Sequence, residues 1–220
     1  MMNEAPTSYY DKAYFEWQKR IGLFGGVANL FKFREHILPH HRVLDFGCGG
    51  GYLLKNLMCA ARYGVEINPV ARAVAEENGI KTFSTSVEVP DNSIDVIISN
   101  HALEHVLNPY GELVELRKKL VPGGVAVFVV PHESYANEWN PNDISKHLYT
   151  WNRMTLGNLF VVAGFAIDRV ELIQHQWPPN FEELFKKYGE EKFHELCRKE
   201  AKKNNNYQIK IVARNEGEHR

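Results

Sequence analysis

Val43-Leu44-Asp45-Phe46-Gly47-Cys48-Gly49-Gly50-Gly51-Tyr52, followed by Gly64-Val65-Glu66-Ile67-Asn68, is the stretch whose reading decides the fold. A short apolar run enters a turn dense in glycine. A second apolar run then ends in an acid 21 positions after the first acid. Glycines at such a turn take up positive φ and let the backbone come close to a ligand. An acid closing the next strand can hold the two hydroxyls of a ribose. The first expectation is therefore a cofactor that carries a nucleoside.

Two details separate the candidate cofactors. The dinucleotide fingerprint G-x-G-x-x-G needs a third glycine where this chain has Tyr52. Asp45 stands two residues before the first glycine, where its carboxylate would repel a pyrophosphate that such turns normally neutralise with a helix N-terminus. A cationic ligand would be attracted instead. S-adenosylmethionine (SAM) has the ribose hydroxyls, no phosphate, a sulfonium and an ammonium, and it fits. A dehydrogenase reading fails on the charge of Asp45, and no Gly-Lys-Ser/Thr follows the glycines to make a P-loop.

Asp45-x-Gly47-x-Gly49-x-Gly51 resembles the first motif of class I SAM-dependent methyltransferases, and Glu66 resembles the acid closing their second strand. Asp95-Val96-Ile97-Ile98-Ser99-Asn100-His101-Ala102-Leu103-Glu104-His105-Val106 is similar to their fourth-strand segment. Leu120-Val121-Pro122-Gly123-Gly124 resembles the turn into their fifth strand. The resemblance spans roughly residues 40 to 170. It implies an α/β fold: a doubly wound, mostly parallel seven-stranded sheet in the order 3-2-1-4-5-7-6, strand 7 antiparallel, with helices on both faces.

Working outward, strand and helix alternate as a covered parallel sheet requires. Strands are expected at Arg42–Phe46, Ala61–Ile67, Lys81–Phe83, Ile94–Asn100, Val125–Val130 and Phe165–Ile173, with Tyr207–Ala213 as the last. Helices are expected at 8–20 and 27–38, then at Tyr52–Met58, Val70–Asn78, from Pro109 to about Leu120, and at Thr155–Ala163. Residues 180–203 read as one amphipathic helix or a pair broken near Gly189, because Phe181, Leu184, Phe185 and Tyr188 follow helical spacing. The whole chain reads as one domain: N-terminal helices over 1–40, a core over 41–175, a helical insert over 178–204 and a final strand over 207–214.

The resemblance also assigns the site. Asp45, Phe46, Gly47, Cys48, Gly49 and Gly51 would cradle the methionine end of SAM. Glu66 would take the ribose hydroxyls while Ile67 packs on adenine beside Asn68. Ser86, with Val87, is the best match for the adenine-amine contact, where the family often has an acid. Asn100 and His101 end the fourth strand, where an open α/β sheet binds its ligand. Tyr9, Tyr10 and Tyr14 are further possible covers of the cofactor from the N-terminal helix. His132 and His147 are the candidate bases, since histidine accepts a hydroxyl proton near neutral pH, although methyl transfer can proceed by alignment alone. Residues 131–150, with Tyr135, Trp139, Tyr149 and nearby Trp151, would close over the acceptor. His105 reads as a packed structural group, and Cys48 as a small residue in a tight turn rather than a nucleophile.

Composition narrows the partners. With 220 residues, a net charge of −1 and 44% hydrophobic content, the chain suits a globular domain with no global field for nucleic acid or anionic membrane. No apolar run reaches membrane-spanning length. Three cysteines without a C-x-x-C pair argue for a reducing compartment. The N-terminal residues lack a signal-peptide pattern, so the cytoplasm is expected. Ten histidines include no convincing metal-ligand spacing, so no metal is expected. The reading is a methyltransferase acting on a small or medium acceptor, preferably a hydroxyl of a glycan or natural-product precursor. Nitrogen or carbon methylation, and a non-catalytic SAM-binding partner protein, stand as rivals, with an open acceptor cavity as the discriminator.

Overall fold

The computed structural model describes residues 21–134 and 136–217. The helix expected over residues 8–20, with Tyr9, Tyr10, Tyr14 and Trp17, lies outside the described residues, as does Tyr135.

Seven strands form one sheet: β1 (Arg42–Phe46), β2 (Ala61–Val65), β3 (Lys81–Phe83), β4 (Ile94–Asn100), β5 (Leu120–His132), β6 (Ala166–Ile173) and β7 (Tyr207–Arg214). Their order is β3-β2-β1-β4-β5-β7-β6, and β7 runs antiparallel to both β5 and β6. This is the class I methyltransferase fold that the motif order implied. Strand order reverses at β1, which pairs with β2 on one side and β4 on the other, and such a reversal opens a crevice at the carboxyl ends. The start of β1 is pinned to β4 by Asp95, which accepts from the Arg42 amide at 2.7 Å and from its guanidinium at 2.8 Å through both oxygens. The Arg42 hydrogen bond holds the Asp95 carboxyl at about 2.

Alternation along the central strands feeds two cores. Leu44, Phe46, Ile97, Phe128 and Ile211 face one side, under α3 (Pro109–Lys119) and α4 (Arg153–Val162). Val43, Val96, Ile98, Val127 and Val129 face the other, with Phe33, Ile37, Leu54 and Ala75 of α2 (Pro69–Glu77). Truncating fully buried Phe128 to Ala would cost about 3–5 kcal/mol. The helices start on asparagine: Asn68 caps α2 by accepting from the Val70 and Ala71 amides, and Asn152 forms a capping box with Thr155 on α4.

Two expected helices differ, and a third resolves as one of its two alternatives. Residues 52–58 make only a 3₁₀ turn, Leu54–Asn56. The Asn56 amide group takes the Tyr52 carbonyl at 2.8 Å and the Gly26 carbonyl at 3.2 Å, so the Tyr52 oxygen that an α-helix needs is occupied. Residues 27–38 are not one helix. The described helical stretch α1 covers 21–28, and two 3₁₀ turns, Leu30–Lys32 and Arg34–His36, follow. These turns let Lys32, Phe33 and Ile37 all point inward. In α5 (Phe181–Lys203) the helix breaks at Gly189, whose φ is 76° and ψ 174°.

α1 is tied to α5 by aromatic packing. Phe24 lies 4.8 Å from Trp177, 4.6 Å from Phe181 and 5.5 Å from Phe193, centroid to centroid. Its close seat on the glycine turn needs Gly26, where a Cβ would stand 2.3 Å from the Tyr52 carbonyl oxygen. Among the described residues, no helix is long and apolar enough to cross a membrane.

Candidate functional site

A cleft of about 1330 Å³ runs along the carboxyl edge of the sheet, under α1. Asp45, Phe46, Gly47, Cys48, Gly49, Glu66, Ile67, Asn68, Ser86, Val87, Asn100 and His101 all line it. Residues up to 56 positions apart in sequence are thus gathered by four strand ends and the reversal between β1 and β4. Gly51 does not line the cleft. Its φ is 73°, and a Cβ there would stand 2.1 Å from Ile80 Cδ1, so this glycine packs the turn onto α2.

The glycine turn is built around the acid that follows β2. The Gly49 amide donates to Glu66 Oε2 at 2.9 Å, and the Asn68 amide donates to Oε1 at 2.8 Å. Burial raises the Glu66 pKa, and these hydrogen bonds oppose the rise. Gly47 and Cys48 donate their amides to the Val65 carbonyl. A Cβ on Gly47 would stand 2.4 Å from Ala102 Cβ, whereas one on Gly49, at φ 52°, would meet nothing within 4 Å. Gly49 therefore borders open cleft. Cys48 Sγ sits where a Cβ on Gly64 would fall, at 2.5 Å, and burial pushes its thiol far up. That is the small, inert turn residue expected from the sequence.

Asp45 is 3% exposed and its pKa is raised to about 8, by burial first and by Glu66 second. Among the described residues, no cation pairs with it. A cation brought beside this acid would favour its ionised form. Ser86 is buried, Val87 is exposed at the rim, and the Asn68 side chain is engaged in capping α2.

At the other end of the cleft, His101 takes a left-handed φ of 58° and its amide donates to the Val129 carbonyl at 2.8 Å. Its Nδ1 lies 3.3 Å from Glu104 Oε1. Glu104 is fully buried; burial is the largest single influence and raises its pKa, but the hydrogen bond and charge of His101, a backbone hydrogen bond and His105 together outweigh it, and the net shift is downward. Strained backbone at a strand end marks functional positions.

The two candidate bases separate. His147 lines the cleft, with Nδ1 2.7 Å from Glu133 Oε1 and Nε2 3.9 Å from Glu104 Oε1. The Leu148 and Tyr149 amides both reach the Glu104 carbonyl, which latches this segment to the end of β4. His132 is not among the lining residues; it packs toward Tyr207, 6.2 Å between ring centres. The expected aromatic cover also lies elsewhere. Trp139 is 87% exposed, and Trp151 is buried in the core under α4, stacked on Tyr149 at 5.6 Å. Tyr52, Trp177 and Tyr207 line the cleft instead.

Sequence reading missed Lys32. It is 2% exposed, lines the cleft, and donates to Asn100 Oδ1 at 3.0 Å and Gln208 Oε1 at 2.7 Å. Its signal was a lone lysine in an otherwise apolar run, Leu30-Phe31-Lys32-Phe33. Two sets of possible metal donors also converge within 4.8 Å: Glu104, His105 and His147, and His175, His194 and Cys197. His175 Nε2 and His194 Nδ1 lie 3.0 Å apart.

Comparison with known proteins follows the geometry. A family model described as "Methyltransferase domain" matches residues 16–170. A ubiquinone biosynthesis O-methyltransferase of Roseobacter denitrificans is 33% identical over 100 residues, covering 39% of this chain and 39% of that protein. The chain therefore matches about two fifths of that relative's length. Phosphoethanolamine N-methyltransferase 2 of Haemonchus contortus, solved with S-adenosyl-L-methionine, superposes with a TM-score of 0.64 at 14% identity, covering 94% of this chain and 57% of that one. A chain from the Haloferax volcanii complex between the Trm112 methyltransferase activator and a methyltransferase gives 0.69 at 16% identity, covering 99% and 100%.

Proposed function

The chain belongs to the methyltransferase-domain family, SAM-dependent and of class I fold, and on that premise we propose that it methylates a hydroxyl oxygen on a small aromatic acceptor. The observation that carries this reading is the cleft: a buried Asp45 carboxyl with which no cation pairs among the described residues, beside a glycine turn whose Gly49 amide is held by Glu66. SAM fits there by charge and shape, since its cationic methionine end would answer Asp45 and Gly49 leaves room for close approach. Glu66, Ile67, Ser86 and Val87 would hold the nucleoside, and Asn100 with His101 the amino-acid end. When bound, SAM supplies an electrophilic methyl on sulfonium.

The cleft continues past Asn100 to Lys32, Trp177, Tyr207 and Gln208. This open volume favours an enzyme over a SAM-binding partner protein, because a binding module has no need of an acceptor space. Flat rings suit aromatic walls. The curated relatives are named for O-methylation in ubiquinone biosynthesis, which supports a ring hydroxyl; nothing found supports a glycan. The chain's own residues would orient the acceptor and exclude water, on which an aligned displacement depends.

The test is incubation with methyl-labelled SAM and a panel of mono- and dihydroxylated aromatic acids and quinols, alongside glycans and amines, with products identified by mass spectrometry. Label on ring oxygen supports the reading. Label confined to amines, carbon or glycans removes it.

A further inference from the structure

One buried ionisable group in the cleft has no part in holding the cofactor as assigned above. Lys32 Nζ stands in the cleft wall, fixed by Asn100 Oδ1 at 3.0 Å and Gln208 Oε1 at 2.7 Å. Gln208 is itself held, its amide donating to the His175 carbonyl at 2.9 Å. The amine therefore has a set position bridging the end of β4 and the start of β7 across β5, at the sheet edge where an open α/β sheet binds its ligand.

We propose that Lys32 receives the acceptor's proton, so that its amine is the general base for methyl transfer to an acidic hydroxyl, a phenol or an enol. This rests on the oxygen-acceptor reading above. The Nζ lone pair takes the hydroxyl proton as that O–H bond breaks. The freed oxygen pair forms the O–CH₃ bond, and the S–CH₃ pair stays on sulfur, leaving a neutral thioether. The resulting ammonium returns its proton to solvent after the product leaves.

Three observations support the assignment. An ammonium has three donor hydrogens, and Asn100 and Gln208 take two; the third site on nitrogen is the one that can exchange a proton with an acceptor. Burial lowers the Lys32 pKa to about 7, against the raising effects of Cys197 and Glu104. Half the amine is thus neutral near pH 7, where a free lysine is a cation. The groups facing it are Glu104 after β4, Cys197 on α5 and His175 after β6, which is itself neutral because burial lowers it to about 3. The competing histidine, His147, has its Nδ1 held by Glu133 Oε1 at 2.7 Å, and its Nε2 lies 3.9 Å from Glu104 Oε1, beyond hydrogen-bond reach.

The test uses the full chain with S-adenosylhomocysteine bound. First, the Lys32 side chain is titrated by ¹³Cε NMR on ¹³C-lysine protein and assigned by comparison with Lys32→Arg. A midpoint near 7 supports the proposal, and one above about 10, the range of an ordinary lysine, overturns it. Second, 4-hydroxyacetophenone, whose near-ultraviolet absorbance reports its ionisation, is titrated into the complex below its solution pKa. The wild type should shift the bound phenol toward its ionised spectrum, and Lys32→Met should lose that shift while its homocysteine-cofactor affinity stays within about twofold. A tenfold loss of that affinity in Lys32→Met would place Lys32 on the cofactor carboxylate and overturn the proposal. A wild type that binds no phenol, with Lys32 titrating near 7, supports the base and removes phenols as acceptors. The titration is read on wild-type protein, so it decides even if Lys32→Met does not fold.

Discussion

The Gly49 amide donates to Glu66 Oε2 across 2.9 Å, so the turn that carries the glycines is closed by the acid at the end of the neighbouring strand. The two halves of the motif are one hydrogen-bonded unit. Glu66 presents its carboxylate to the cleft from a position its own backbone neighbours have set.

Glu66→Ala should therefore weaken S-adenosylhomocysteine binding by tenfold or more, through lost charge-assisted hydrogen bonds worth roughly 1.5–3 kcal/mol. Glu66→Gln, which keeps one acceptor oxygen for the turn, should lose less. Isothermal calorimetry on both variants checks this, and unchanged affinity in Glu66→Ala would remove the ribose role.

Gly49→Val should abolish cofactor binding while the protein stays folded. The side chain enters open cleft, and a β-branched residue at φ 52° adds strain of about 1–2 kcal/mol. Gly47→Ala should act through stability instead, since its Cβ meets Ala102 Cβ at 2.4 Å; overpacking of this kind costs about 1–3 kcal/mol. Thermal melts and cofactor titration on the pair separate the two effects. Tight binding by Gly49→Val would move the cofactor elsewhere.

Asp45 gives a pH signature. Its folded pKa, about 8, lies above its ordinary value of 3.8. Between those two values the folded chain holds a proton that the unfolded chain has released, so stability falls as pH rises through this window and levels off above about 8. Asp45→Asn should thus raise the melting temperature of the ligand-free protein at pH 8 relative to wild type, with little difference at pH 4. The same variant should bind SAM at least tenfold more weakly. In wild type, SAM binding near pH 7 should release a proton, measurable as a calorimetric enthalpy that changes with buffer ionisation heat. No buffer dependence would mean that Asp45 does not answer the cofactor's charge.

His132 lies off the cleft and His147 lines it. His132→Ala should keep turnover within about twofold. His147→Ala should raise the acceptor's apparent KM by several-fold, because it removes a cleft-lining ring held by Glu133 at 2.7 Å, with cofactor affinity nearly unchanged. Trp139→Ala, at an exposed position, should match wild type in both constants. Steady-state kinetics with the acceptor found above decides. A loss of ~10²–10⁴ in turnover for either histidine would make it a base in place of Lys32.

Much of the fold was legible because it is written locally. Val43 to Phe46 and Ile94 to Asn100 alternate between two buried faces, and Pro69 after Asn68 states a helix start on its face. Asp45 and Glu66 could be read because charge and strand-end position need no partner to be interpreted. The helix expected at 52–58 could not be corrected from sequence, since the Asn56 side chain that diverts the Tyr52 carbonyl also binds Gly26, 30 residues away. The acceptor side was illegible for the same reason. Tyr52, Trp177 and Tyr207 meet in one cleft from distant parts of the chain, and Trp151, just after the aromatic-rich segment 131–150 that looked like a lid, is buried in the core.

Lys32 bonds to partners 68 and 176 residues downstream. Contacts of such sequence separation form slowly, because a long loop must close before they reward it. A chain still emerging from the ribosome can assemble the glycine turn and Glu66 from its first half, yet it has no Gln208 to hold Lys32 until β7 arrives. Gln208, which fixes the amine, is thus among the last residues of the cleft to be made.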